Sequence, residues 1–342
     1  MRSRAITLAV LAVAGCRGRH GLWAVPRADP ETTRTIAQGE VVGGQGRYGS
    51  HAWLGIPFAA PPIGSLRWRA PKPPAPWSGT RDALAFPPPC PQFNSAIGGV
   101  EGAAAGAVIG DEDCLALNIW SPRFAPGDVP KGDQRLPVMF WIHGGGNTIG
   151  RSATYDGGHL AAEHGVVVVT TQYRLGPLGW FRHQALRAGA ADADEASGNF
   201  GTLDLIRSLE WVRDNISAFG GDPRKVTIFG ESAGGVNVYT LLLAQRAKGL
   251  FERAIVESGG LTSTTADEAE NTTDDSKPGA KNSSSEVILR LLGADRTEAK
   301  GKLAATSEPA TADFLRARTP AQLFDVYAGK HEVGMIDMPL VV

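Results

Sequence analysis

An α/β fold with a central, mostly parallel sheet and helices on both faces is predicted for this chain of 342 residues, and three features carry the prediction. Leu136 to Ile142 and Val166 to Thr171 are continuous apolar, β-rich runs, as expected of parallel strands covered on both sides. Between them and a third run, Val226-Thr227-Ile228-Phe229, the residues Leu203, Ile206, Leu209, Val212 and Ile216 recur at three-to-four-residue spacing, the stripe of a helix lying on a sheet. A helix from about Ala233 to Gln245 and a strand at Ala254-Ile255-Val256 continue the alternation of strand and helix that a parallel sheet requires.

The elements follow in order from the N-terminus. Arg2 and Arg4 precede the apolar stretch Ala5 to Gly15, the charged and hydrophobic regions of an export signal that is too short to span a bilayer. Residues 1–22 are assigned to that segment, and a secreted or cell-surface location follows. Val13-Ala14-Gly15-Cys16 also resembles a lipobox, which would place a lipid anchor on Cys16. Once that segment is removed, Cys90 and Cys114 remain, either as a disulfide formed in an oxidising compartment or as two buried thiols.

From Gly39 to Cys90 the chain is rich in Gly and Pro around short apolar pieces such as His51-Ala52-Trp53-Leu54-Gly55-Ile56, which suits short strands and determined loops. Trp68, Trp77 and Phe86, interleaved with Pro73-Pro74-Ala75-Pro76 and Pro87-Pro88-Pro89, argue for rigid wrapping of the surface. Thr262 to Ser285 is polar and low in complexity and reads as an exposed loop, with Asn271 and Asn282 in sequons that matter only in a glycosylating host. Val287 to Leu292 and Phe314 to Tyr327 read as helical pieces. One α/β domain is expected over residues 30–342.

The 34 Lys and Arg residues balance 35 Asp and Glu, so no basic field is present to hold nucleic acid or an anionic membrane. No Cys-x-x-Cys or His-Glu-x-x-His spacing points to a metal, and no cofactor is expected.

Two motifs carry chemistry. Gly230-Glu231-Ser232-Ala233-Gly234 follows the Val226-Phe229 strand and opens the next helix, which fits a serine held at the tip of a tight strand-to-helix turn. His143-Gly144-Gly145-Gly146 follows the Leu136-Ile142 strand, where a glycine triplet lets backbone N–H groups turn inward without side-chain obstruction. Such donors stabilise a tetrahedral oxyanion more than the substrate carbonyl from which it forms.

With these motifs the chain resembles the type B carboxylesterases, which include the cholinesterases and have the α/β-hydrolase fold. The resemblance runs from Gly39 to about Ser258 through Gly55-Ile56-Pro57-Phe58-Ala59, Glu112-Asp113-Cys114-Leu115-Ala116-Leu117-Asn118-Ile119, Tyr173-Arg174-Leu175-Gly176 and Phe219-Gly220-Gly221-Asp222-Pro223. It implies Ser232 as nucleophile, an oxyanion hole from the N–H groups of Gly145, Gly146 and Ala233, and Glu231 as a carboxylate near the active-site base. It also implies a Cys90–Cys114 disulfide and a structural ion pair between Arg67 and Glu112. The partner implied is a small-molecule carboxylic ester, uncharged and fairly apolar, cleaved through an acyl-enzyme.

A serine hydroxyl needs a histidine and an orienting acid to become reactive. In this fold their order is Ser, acid, His, and Met335-Ile336-Asp337-Met338-Pro339-Leu340 resembles the segment before the acid. The chain is therefore expected to lack its C-terminal part, leaving an unpaired sheet edge and an exposed apolar face. The alternative function is an inactive fragment or a catalytically dead binding module of the same fold. His331 is the one histidine after Ser232, while His143 belongs to the glycine turn and His159, His164 and His183 read as surface or packing residues. Asn147, Gln172 and Glu257 depart from common family residues, which implies an unusual acyl pocket.

Overall fold

The computed structural model describes residues 27–261, 263–293, 295–327 and 334–340. The expected export segment with Cys16, and His331, lie outside them. Seven strands form the main sheet: β1 (Gly44–Gln45), β2 (Ser50–Pro57), β3 (Ala116–Pro122), β4 (Leu136–Ile142), β5 (Val167–Thr171), β6 (Gly221–Glu231) and β7 (Arg253–Glu257). Their spatial order is β7-β6-β4-β5-β3-β2-β1. The strands β4 to β7 pair in parallel, and β3, β2 and β1 extend the sheet antiparallel from β5. All five residues of β5 are buried, which is why its run shows no alternation.

Helices cover both faces. Along the strands successive side chains point to opposite sides, and two clusters separate accordingly. Ala52, Leu54, Trp120 and Val168 pack with Ala161 of α1 (Gly158–His164). Trp53, Ile119 and Val169 pack with the larger core under α2 (Phe200–Asn215) and α3 (Ala233–Leu243). Asn118 is fully buried between strands, its amide donating to Ser152 and Thr170 hydroxyls at 3.0 Å each and accepting from the Gly55 N–H at 3.0 Å. A buried amide is tolerated in such a core because its hydrogen-bonding groups are matched.

Cys90 and Cys114 are disulfide-bonded, with Cα atoms 5.1 Å apart, so the alternative of two thiols is set aside. Arg67 pairs with Glu112, Nε to Oε1 at 2.7 Å, and donates to the Arg316 carbonyl at 3.0 Å, which ties the ion pair to the C-terminal helices. Those helices are α4 (Ser284–Leu292), α5 (Arg296–Ala305), α6 (Glu308–Arg316) and α7 (Pro320–Asp325).

The segment after Thr262 departs only in part from the expected exposed loop, since residues 273–278 are exposed and outside any helix or strand. Thr265 and Glu268 form a capping box at the start of a helix over Ala266–Glu270. Asn282, Ser283 and Ser284 are buried, and the Ser283 hydroxyl donates to the Asn271 carbonyl at 2.6 Å while capping α4. Short polar side chains there replace water as partners for backbone groups, so a loop-like composition folds onto the domain. The strand β7 lies at the sheet edge with Ile255 exposed on it, and Leu242, Leu243 and Leu261 are also exposed.

Candidate active site

The strand β6 ends at Glu231 and α3 begins at Ala233, leaving Ser232 alone in the connection with φ 55° and ψ −120°. A non-glycine residue in such a region stores on the order of 1–3 kcal/mol, so its surroundings must hold it. Its N–H donates to the Glu257 carbonyl of β7 at 2.8 Å, and its carbonyl accepts the first helical bond from Val236 at 3.0 Å. The side chain is left exposed at the C-terminal end of the parallel strands.

The glycines on either side follow from close packing against the end of β4. A Cβ on Gly230 would sit 2.6 Å from the Gly234 carbonyl carbon and 2.7 Å from the Ile142 oxygen. One on Gly234 would collide with the same Ile142 oxygen.

Past Ile142 the glycine turn takes three consecutive positive φ values, 107° at Gly145, 62° at Gly146 and 59° at Asn147. The Gly145 carbonyl closes the turn by accepting from Thr148 and Ile149 at 3.1 and 3.0 Å. A Cβ on Gly144 would lie 2.6 Å from the Glu231 carbonyl oxygen and 3.3 Å from Ser232 Cβ, so this backbone runs directly beside the serine. Among the described residues the N–H groups of Gly145 and Gly146 donate to no acceptor. Ala233 opens α3, where first-turn N–H groups have no intrahelical acceptor and the helix dipole favours negative charge. The glycine turn and the start of α3 thus both lie beside Ser232.

Glu231 has an exposed side chain whose carboxylate, after burial, contributes to raising the Tyr155 phenol above its ordinary pKa. His143 is buried, with Nδ1 2.9 Å from the Gly144 carbonyl. A carbonyl only accepts, so the ring proton resides on Nδ1. The ring stacks on Tyr173 at 4.5 Å between centroids, and the Tyr173 hydroxyl donates to the His143 carbonyl at 2.7 Å. Burial depresses the His143 pKa to about 4, against a smaller opposing effect of the Gly144 hydrogen bond. This imidazole therefore stays neutral near pH 7 and holds the turn in shape.

Among the described residues no histidine hydrogen-bonds Ser232. His159 pairs with Glu163 on α1 at 3.0 Å. His183 accepts from the Ala185 N–H at 3.1 Å, and burial depresses its pKa to about 4. The Met335-Ile336-Asp337 segment lies over the glycine turn. Met335 Sδ is 2.8 Å from the point a Gly146 Cβ would occupy, and the Ile336 N–H donates to Thr148 Oγ1 at 3.2 Å.

Three neighbouring features were not evident from the sequence as site elements. Asn237, on α3 four residues past Ala233, donates through Nδ2 to Asn147 Oδ1 at 2.8 Å. Arg174 makes a two-pronged ion pair with fully buried Asp204, Nε to Oδ2 at 2.8 Å and Nη2 to Oδ1 at 2.7 Å. Gln172 accepts from the Ser152 N–H and donates to the Pro88 carbonyl, both at 2.9 Å, so its amide ties two loops of the scaffold together. No cluster of three His, Cys, Asp or Glu side chains among the described residues is arranged to hold a metal.

Residues 30–338 match the Carboxylesterase family. Fumonisin B1 esterase of Sphingopyxis macrogoltabida is 41% identical over 316 residues, covering 90% of this chain and 54% of that protein. Carboxylesterase 1C of Rattus norvegicus is 40% identical over 319 residues, covering 89% of this chain and 51% of that one. A solved PNB esterase superposes with a TM-score of 0.67 at 34% identity, over 91% of this chain and 57% of its own. The chain thus spans about half the length of the curated relatives it matches. By a family match across residues 30–338 and a superposition over most of its length, the chain belongs to the carboxylesterase family and has the α/β-hydrolase fold.

Proposed function

We propose that the protein of which this chain forms part is a serine carboxylesterase. The observation that carries the proposal is Ser232, exposed at φ 55° on the β6–α3 turn beside the backbone of the glycine triplet. Ser232 Oγ attacks the carbonyl carbon of an ester and gives its proton to a base. The carbonyl electrons move onto oxygen, where the N–H groups of Gly145, Gly146 and Ala233 stabilise the charge. Each donor contributes on the order of 3–4 kcal/mol to the transition state where such groups have been removed. Collapse expels the alcohol with that proton, and water then releases the acid from the acyl-serine.

In this reading the base is a histidine oriented by an acid, both following Ser232 in the chain order Ser, acid, His, with Glu231 near the base. The substrate is an uncharged, fairly apolar ester, and no cofactor takes part. The Cys90–Cys114 bridge supports export to an oxidising compartment, with Cys16 a candidate for lipidation. A Ser232→Ala variant of the complete protein is expected to lose p-nitrophenyl butyrate hydrolysis to background, and retention of turnover would refute the assignment.

Ser232 has no histidine partner among the described residues, which favours a second reading, an inactive fragment or a binding module of the same fold. A wild-type protein with neither turnover nor labelling by an organophosphonate would establish that second reading.

A further inference from the structure

The buried amide pair Asn147–Asn237 bridges the two pieces of backbone that carry the proposed oxyanion donors. Asn147 follows Gly146 directly. Asn237 lies four residues after Ala233 on α3, one turn along the same helical face. Each residue is 2% exposed, and the pair exchanges a bond of 2.8 Å from Asn237 Nδ2 and a longer one of 3.5 Å from Asn147 Nδ2. The Asn147 backbone is fixed independently, by φ 59° and by its carbonyl accepting from the Gly176 N–H at 2.8 Å. The Tyr173 hydroxyl donates to the His143 carbonyl at the start of the glycine turn at 2.7 Å.

We propose that the Asn147–Asn237 pair is a brace that sets the separation between the two halves of the oxyanion hole, Gly145 and Gly146 on one side and Ala233 on the other. The proposal rests on the serine esterase reading. Both asparagines are positioning residues acting through backbone donors, and neither contacts the reacting atoms. Oxyanion stabilisation depends on donors aimed at where the charge will form, so a brace acts on the chemical step and leaves ground-state binding alone. It acts as a unit, because an amide whose partner is lost can no longer fix the spacing.

The test uses the complete protein and p-nitrophenyl butyrate. Ser232→Ala is measured first: if it retains turnover, the esterase reading fails and the brace with it. Given loss of turnover there, Asn147→Ala, Asn237→Ala and the double variant are compared by kcat and KM, with thermal unfolding to establish that each is folded. Each single variant is expected to lower kcat about 10- to 100-fold, less than loss of a whole donor, with KM within about twofold. The double variant is expected to fall within about threefold of the worse single variant, since the second change removes nothing further. Asn237→Ser, which keeps a polar group too short to reach Asn147, covers the case in which an alanine variant fails to fold, and it is expected to lose kcat to a similar extent. Unchanged kcat in folded single variants or in Asn237→Ser, losses that multiply in the double variant, or a change confined to KM would each overturn the brace while leaving Ser232 as the nucleophile.

Discussion

Replacing Gly230 by alanine separates the geometry of the serine turn from general stability. The new Cβ would meet three backbone atoms, 2.6 Å from Gly234 C and 2.7 Å from both Gly234 O and Ile142 O, where real Cβ contacts do not fall below 3.0 Å. Backbone cannot swing aside as a side chain can, so β6, the turn and β4 must part by roughly 0.4–0.8 Å to reach ordinary contact. Overpacking of this kind costs about 1–3 kcal/mol, and a misplacement approaching 1 Å at a catalytic group costs up to about 100-fold in rate. Gly249→Ala supplies the control, because Gly249 has φ +84° with nothing within 4 Å of the added Cβ. That change adds only the left-handed penalty of about 1–2 kcal/mol, far from the serine. In the complete protein, p-nitrophenyl butyrate kinetics and calorimetric unfolding are expected to show similar stability losses for both variants. The kcat of Gly230→Ala is expected to fall about 10- to 100-fold while that of Gly249→Ala stays within about twofold. Wild-type kcat in Gly230→Ala, or equal kcat losses in both, would refute the claim that close packing of the turn on β4 positions Ser232.

Arg174→Ala leaves the Asp204 carboxylate buried without its partner, and a loss of about 3–5 kcal/mol in urea unfolding is expected; a loss under about 1 kcal/mol would contradict the role given to this pair. Removing the disulfide in Cys90→Ser/Cys114→Ser opens a loop spanning 24 residues and is expected to cost about 3 kcal/mol by the same measurement. His143 and His183 have folded pKa values of about 4, below the ordinary 6.5, because burial disfavours their charged forms. The unfolded chain therefore binds more protons between pH 6.5 and 4: stability is full above that window and falls as pH drops through it, by about 3 kcal/mol per histidine. Unfolding titrations at pH 7.5, 5.5 and 4.5 are expected to show this fall, and His143→Gln should flatten it by about 1.4 kcal/mol per pH unit at most; an unchanged slope would contradict burial of a neutral imidazole.

The sheet centre was legible because strands covered on both faces are largely apolar, and Leu136 to Ile142 has the same bounds in the sequence reading and in the fold. The serine turn was legible because only glycine fits beside Ile142 O at positions 230 and 234, so sterics write themselves into the sequence. Partnerships between side chains leave no such mark. Asn147 and Asn237 are 90 residues apart; Asn147 stands out only as a departure from common family residues, and Asn237 taken alone reads as an ordinary polar residue. Ser283 and Ser284 sit in a polar tract whose composition matches a loop, yet they are buried because the cap and the carbonyl they satisfy come from the fold. The short strands β1 and β2 were only partly legible, since pairing between Gly44 and Ala52 depends on their neighbours more than on local propensity.

The central claim is that Ser232 is a nucleophile made reactive by its surroundings, and mass spectrometry of the protein after reaction with a fluorophosphonate tests it most directly. One adduct per chain is expected, on the peptide containing Ser232, and none in Ser232→Ala. An adduct on another residue, or persistent labelling of Ser232→Ala, would contradict it.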